Sequence, residues 1–454
     1  MRNIKYLRFK IFSTESLKAF VFMALALNIL PLSAQELSLD KAIEMAQKND
    51  PWIEGSYLKE QANIAQSIAA GQLPDPVISL GLANMPLDSF DFNQEPMTQF
   101  KAGVSQVFPR GETLELQRQK LEEMSRRHPF LRQDRYAKVQ LTVTQLWLDL
   151  YQSQETIRLI EKDRSLFEYL VEVAEVSYSS TFGRSRQQDL VRAQLELTRI
   201  EDRLTVLDRK RSETQEKLAE WLYGTGTNWQ EAGVSQTLPE LELKLKTDHE
   251  ETVNLAQYET PDFINHPIIR SLEQQITASE TNVDLTRQKY KSQWGVNASY
   301  GYRDDAPGGQ DRSDFFSLGI SFDLPIFTEK RQDKEVEAAV SSKEALKTDK
   351  TLALRTIKAR FHEAKERLVW LEKRRELYSE RLLKEMNDQA EASLNAYTND
   401  DGDFAEVVRA RIAELNANID YLSINIDRLK TIAELNYFSS SSEYKTSING
   451  NQND

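Results

Sequence analysis

Two stretches without glycine or proline limit what this chain can become. One lies between Pro129 and Gly183 (53 residues) and is followed by 40 more before Gly224, while the other lies between Pro325 and Gly402 (76 residues). Glycine and proline are the residues that end helices. Within the first stretch Val139, Val143, Leu146, Leu150, Ile157 and Ile160 recur among charges, as a helix with a narrow apolar stripe requires. At 1.5 Å per residue the first stretch spans about 80 Å and the second about 110 Å if helical throughout. Helices of that length do not pack into a compact globule. Each reaches a polar tip, near residues 179–186 and 395–405, from which a second helix returns, so two long antiparallel hairpins are expected.

The hairpins belong to an internal duplication with a constant offset. QFKAGVSQVFPRGE (99–112) is echoed 216 positions later by FFSLGISFDLPIFT (315–328), which pairs Gly103, Val104, Ser105, Phe108 and Pro109 with Gly319, Ile320, Ser321, Leu324 and Pro325. Asn49-Asp50-Pro51 returns as Asn265-His266-Pro267, and past the tips Asp189-Leu-Val-Arg-Ala returns as Glu406-Val-Val-Arg-Ala. Each copy reads as a helix, two strands and a helical hairpin. The expected organisation is a leader at 1–34, a first repeat at 35–223, a connector at 224–261, a second repeat at 262–438 and a disordered tail at 439–454.

The strands, expected at 77–83, 99–108, 294–303 and 314–324, have period two. Ile78, Leu80 and Leu82 alternate with Ser79, Gly81 and Ala83, and Phe316, Leu318, Ile320 and Phe322 alternate with Ser317, Gly319, Ser321 and Asp323. Apolar on one side and small or polar on the other, they fit the wall of a transmembrane β-barrel with Trp294, Tyr300, Tyr302, Phe316 and Phe322 toward lipid. A small soluble sandwich is the alternative. Four strands cannot close a barrel, and an open edge in lipid is prohibitive. Three chains sharing one barrel would supply twelve strands.

Composition narrows the classes. With 28% charged residues and a mean hydropathy of −0.58 the chain is no polytopic helical membrane protein. A formal net charge of −13 argues against nucleic acid as a partner. There is no cysteine, and the four histidines (His128, His249, His266, His362) form no metal-ligand spacing, so neither metal site, cofactor nor enzyme is expected. At the start, Arg2, Lys5, Arg8, Lys10 and Lys18 precede an apolar run from Ala19 to Leu32, then Ser33-Ala34, which reads as a secretory signal cleaved before Gln35, an uncleaved anchor being the alternative.

The ordered set resembles the TolC family of outer-membrane efflux proteins over essentially the whole mature chain: the leader, the opening LSLDKAIEMAQKNDPWI, the duplicated element order, the strand-ending Pro109 and Pro325, and two tips. The resemblance implies a mostly α chain whose homotrimer forms a 12-stranded outer-membrane barrel continuous with an α-helical periplasmic barrel, in a Gram-negative bacterium. It would be the exit duct of a tripartite pump, partnered by a periplasmic adaptor and an inner-membrane transporter of the RND type. Glu95-Pro96-Met97-Thr98-Gln99 is similar to segments of heavy-metal efflux members, and Met85 lies in the same loop, which leaves metal ions and small toxic molecules as alternative cargo. A secreted coiled-coil scaffold or adaptor without a pore is the reading from another class.

By the same resemblance the functional residues close the periplasmic end. Asp189 matches the first-tip aspartate, Tyr397 its tyrosine partner, and Glu406 one acidic ring position. Gly402 stands where the family has arginine, and Arg409 where it has a second acid. Arg184 and Arg186 at one tip, against Asp400, Asp401 and Asp403 at the other, are candidates for a substitute lock. Pro109 and Pro325 are expected to mark the level where barrel becomes tunnel.

Overall fold

The computed structural model describes residues 36–179, 187–223, 229–244, 261–399 and 402–440. The expected leader and the tip residues Arg184, Arg186, Asp400 and Asp401 lie outside them.

Each repeat opens with a capped helix. In the first, α1 (Leu39–Lys48) is capped by Ser38, and α2 (Pro51–Ala70) follows an Asp50 cap whose side chain accepts the Trp52 N–H. Pro51 at the first helical position supplies a preset φ where no N–H is needed. Strands β1 (Val77–Ala83) and β2 (Gln99–Phe108) come next, then α3 (Thr113–Ser125), α4 (Arg127–Ser179) and α5 (Gln187–Trp221). A single-turn helix, α6 (Trp229–Ala232), lies in the connector. The second repeat begins with α7 (Pro267–Arg287), where His266 replaces Asp50 as cap and its Nδ1 accepts the Ile268 N–H at 3.4 Å. Strands β3 (Trp294–Tyr302) and β4 (Phe315–Phe322) follow, then α8 (Gln332–Leu377), a π-turn at Tyr378–Leu382, α9 (Leu383–Thr398) and α10 (Phe404–Phe438).

One antiparallel sheet has the order β1-β2-β3-β4. Beneath it α2 packs on α3, α3 on α7 and α7 on α8. The helices keep the order of the strands they join, so sheet and helix layer share two open edges, β1 with α2 and β4 with α8. Farther down, α4 pairs with α5 and α9 with α10, and α10 packs along α4 to tie the hairpins together.

The core is strung out along the helices in three clusters. The central one gathers Leu39, Ala42, Val143, Trp147, Leu218 and Ile426, and the connector closes it: Leu37 bridges Val234 in parallel, with Trp147 Nε1 donating to Leu37 O at 2.8 Å. A tip-ward cluster holds Ile160, Phe167, Ile200, Phe404 and Val407, and a third joins α7, α8 and α10 through Ile269, Phe361 and Leu435.

The second long stretch is not one unbroken helix. After Pro325 the chain stays out of helix until Thr328 O accepts from both Arg331 and Asp333, and α8 begins only at Gln332. At Tyr378–Leu382 the π-turn inserts one extra residue, which rotates α9 relative to α8. The chain end is also more ordered than expected at its first two residues. Ser439 caps α10, and Ser440 Oγ donates to Tyr437 O and lies 3.4 Å from His266 Nε2.

Two measurements check this packing. Trp147→Ala removes a buried ring stacked on Tyr151 and should cost about 3–5 kcal/mol in denaturant unfolding followed by helical circular dichroism. Burial holds the His266 imidazole below its ordinary value. Above about pH 6.5 neither state carries the proton, and below it only the unfolded chain gains one, so stability should fall with pH there. His266→Asn keeps a capping side chain and should flatten that loss between about pH 7 and pH 5 in urea melts.

Candidate functional site

The sheet presents two unlike faces. Its register aligns Ile78, Val104, Ala298 and Leu318 across all four strands, and likewise Leu80, Ala102, Tyr300 and Phe316. This face is bare: Ile78 is 75% exposed, Phe316 73% and Leu318 67%. A continuous apolar face of this kind suits lipid or another chain rather than water. Trp294 and Phe322 meet at 4.9 Å at the helix end of the sheet, and Tyr300 and Tyr302 lie toward the far end. The opposite face carries Ser79, Ser105, Asn297, Ser299, Ser317, Ser321 and glycines.

One residue on that polar face received no role from the sequence reading. Lys101 is the only charged residue in the four strands. Its cross-strand partners are Gly81 on β1 and Gly301 on β3, which bring no side chain alongside it. It is exposed and forms no ion pair among the described residues. Alternation already placed it opposite the apolar set. That both of its partners are glycines depended on the register.

At the joint, Pro109 ends β2 and Pro325 follows β4 by three residues. Arg110 then reaches beneath β3. Its Nη1 donates to Lys291 O at 2.8 Å and to Asp323 Oδ1 at 3.1 Å, and Nη2 pairs with the other Asp323 oxygen. Asp323 Oδ1 also accepts the Gln293 N–H at 2.7 Å, and Gln288 Oε1 accepts the Glu112 N–H at 3.2 Å. This polar clasp ties β2 to the β3–β4 hairpin where strands give way to helices. Sequence reading marked the prolines and missed Arg110–Asp323, whose members are 213 residues apart.

At the tips, Asp189 is a buried residue in the first turn of α5, next to Leu190, which packs against the tip-ward cluster. Tyr397 flanks the same cluster and meets Phe404 edge-on at 5.6 Å. The two hairpin ends are thus brought together. Asp403 is the α10 N-cap, its Oδ1 accepting the Ala405 N–H at 3.1 Å, and Glu406 pairs with Arg409 at 2.9 Å one turn along the same helix. Glycine at 402 has a packing reason. A Cβ there would lie 2.6 Å from Tyr397 N and 2.9 Å from Ala396 C, both backbone atoms that cannot swing aside. Among the described residues no three His, Asp or Glu gather as a metal site would require. Gly402→Ala should therefore displace the α9–α10 turn and speed amide exchange around residues 395–404, with a stability cost of about 1–3 kcal/mol.

No protein-family model matches the chain, and no curated protein resembles it in sequence. Solved structures do resemble it in fold. The Campylobacter jejuni CmeC outer membrane channel superimposes with a TM-score of 0.73 at 13% identity, covering 90% of this chain and 88% of CmeC. The outer membrane protein VceC from Vibrio cholerae gives 0.69 at 12% identity, covering 89% and 96%. The open-state MtrE channel of Neisseria gonorrhoeae gives 0.67 at 14% identity, covering 88% of each chain. This chain has the fold of the TolC-family outer-membrane channels, long helices below a four-stranded antiparallel sheet.

Proposed function

We propose that this protein is the outer-membrane exit duct of a tripartite efflux system in a Gram-negative bacterium. The observation that carries the reading is the pair of matching open edges. A sheet with a lipid-suited face lies on a helix layer of the same order, and both layers stop at the same two sides. In lipid the outer backbone groups of β1 and β4 must be paired. Three copies in a ring satisfy both edges and give a twelve-stranded barrel over a helical tunnel. The resemblance in fold to outer-membrane channels over about nine-tenths of the chain supports the same arrangement.

A duct conducts passively, so its chemistry is that of its lining and its gate. In the ring, the polar sheet face lines the lumen, with three Lys101 ammonium groups at one level. Those charges favour anionic or neutral solutes over free cations there. Asp189 and Tyr397 sit where the periplasmic end closes, with Glu406 and Arg409 one turn along α10 and Asp403 at its cap. Arg184 and Arg186, paired by charge with Asp400 and Asp401, are the remaining members of the proposed lock. A periplasmic adaptor and an inner-membrane transporter dock below and load the cargo, a metal ion or a small toxic molecule.

In planar bilayers the purified protein should give discrete conductance steps and run as a trimer in mild detergent. A monomer found wholly in the soluble periplasm would instead be the pore-less scaffold. Under a salt gradient at low ionic strength, where screening is weakest, Lys101→Glu should move the reversal potential toward cation preference. Asp189→Asn combined with Tyr397→Phe should raise the resting conductance, and the triple change of Asp400, Asp401 and Asp403 to Ala should do likewise. Conductance equal to wild type in both variants would sink the tip lock.

A further inference from the structure

The duplication gives each residue of the joint a counterpart 216 positions away. Within the chain, the turn after β2 sits on the segment before β3: Arg110 donates to Lys291 O, Glu112 N–H donates to Gln288 Oε1, and a Cβ on Gly111 would lie 2.3 Å from the Lys291 side chain. Subtracting the 216-residue offset turns Gln288 and Lys291 into Gln72 and Asp75; adding it turns Arg110, Gly111 and Glu112 into Ile326, Phe327 and Thr328.

These counterparts do not meet within one chain, because they lie on opposite edges of the sheet. Both are left incomplete. Gln72 and Gln288 donate their side-chain amides alike, to the carbonyls of Ile68 and Asp284 four residues back, at 3.3 and 3.2 Å. Gln288 Oε1 then accepts from Glu112, whereas Gln72 Oε1 accepts nothing among the described residues. The Thr328 N–H likewise finds no acceptor among them. Beside Gln72 lies an open groove of about 650 Å³ lined by Gln72, Leu73, Pro74, Asp75, Pro109 and Leu114. On the other edge Ile326 is 70% exposed and Phe327 85%.

We infer that the groove at Gln72–Asp75 is the seat for Ile326, Phe327 and Thr328 of the neighbouring copy. The strand directions agree. β4 descends to Phe322 and β1 rises from Val77, so antiparallel pairing of β4 with the next copy's β1 lays 323–328 beside 72–77. Thr328 N–H then donates to Gln72 Oε1, as Glu112 does to Gln288. Where Gly111 lies against the long Lys291 side chain, Phe327 faces the shorter Asp75, and the space released is the groove. An apolar wedge thus replaces the Arg110 clasp at the boundary between copies, as a head-to-tail contact that repeats around a closed ring. The inference rests on the ring proposed above.

The chain has no cysteine, so Phe327→Cys with Asp75→Cys introduces a defined pair. Oxidation of the folded protein in mild detergent, or treatment with a short bismaleimide, should convert monomer bands to covalent dimer and trimer after boiling, and neither single variant should give trimer. A protein that sediments as a trimer but gives no cross-link by either reagent overturns this contact and leaves the duct standing. A protein that sediments as a monomer overturns both. As a second readout, Ile326→Asp with Phe327→Asp should abolish the trimer in mild detergent while helical circular dichroism is unchanged, and undiminished trimer would overturn the wedge.

Discussion

The proposed duct depends on the need of every sheet backbone group for a partner where no water can supply one. A four-stranded sheet with a bare apolar face leaves its β1 and β4 edges open, and in lipid that is untenable. The other features answer to this. The helix layer stops at the same edges as the sheet, the clasp at Arg110 holds the strand-to-helix joint in one geometry, and the exposed Ile326–Phe327 pair lies at the open β4 edge. Long helices extend from the sheet, with a core spread along their length in place of a single centre.

Duplication has preserved positions while changing the chemistry at them. Asp50 and His266 both cap a helix that begins at proline, but the second cap is a buried imidazole, held below its ordinary value by that burial. Arg110 and Ile326 occupy equivalent turns, one polar and bonded within the chain and one apolar and exposed. The Arg110–Asp323 pair within the chain is made once, during folding. A contact between copies must form after the chains meet, and an apolar wedge does so without stripping water from a charge.

Much of this was legible in the sequence because it rests on local rules. Alternation of Ile78, Leu80 and Leu82 with small residues is a strand signal whatever surrounds it, and the runs without glycine or proline are helices for the same reason. Reading went wrong where a local rule had a tertiary competitor. Helix periodicity does not reveal the extra residue at Tyr378–Leu382, and the delayed start of α8 follows from the extended path after Pro325. Ser439 and Ser440 read as tail, yet they are fastened to α10 and His266, partners that only folding brings near.

At the candidate sites the division is sharper. Sequence alone determined the repeat, the two faces of each strand and the place of the prolines after the strands, since these depend on spacing and on what glycine and proline can do. Tertiary structure decided that Lys101 stands between two glycines, that Arg110 meets Asp323, that Gly402 is too crowded for any side chain, and that Gln72 keeps an open acceptor where Gln288 does not. Each of these is a meeting of residues far apart in the chain or a limit set by a neighbour's backbone. Register and packing create such facts, and no local pattern encodes them.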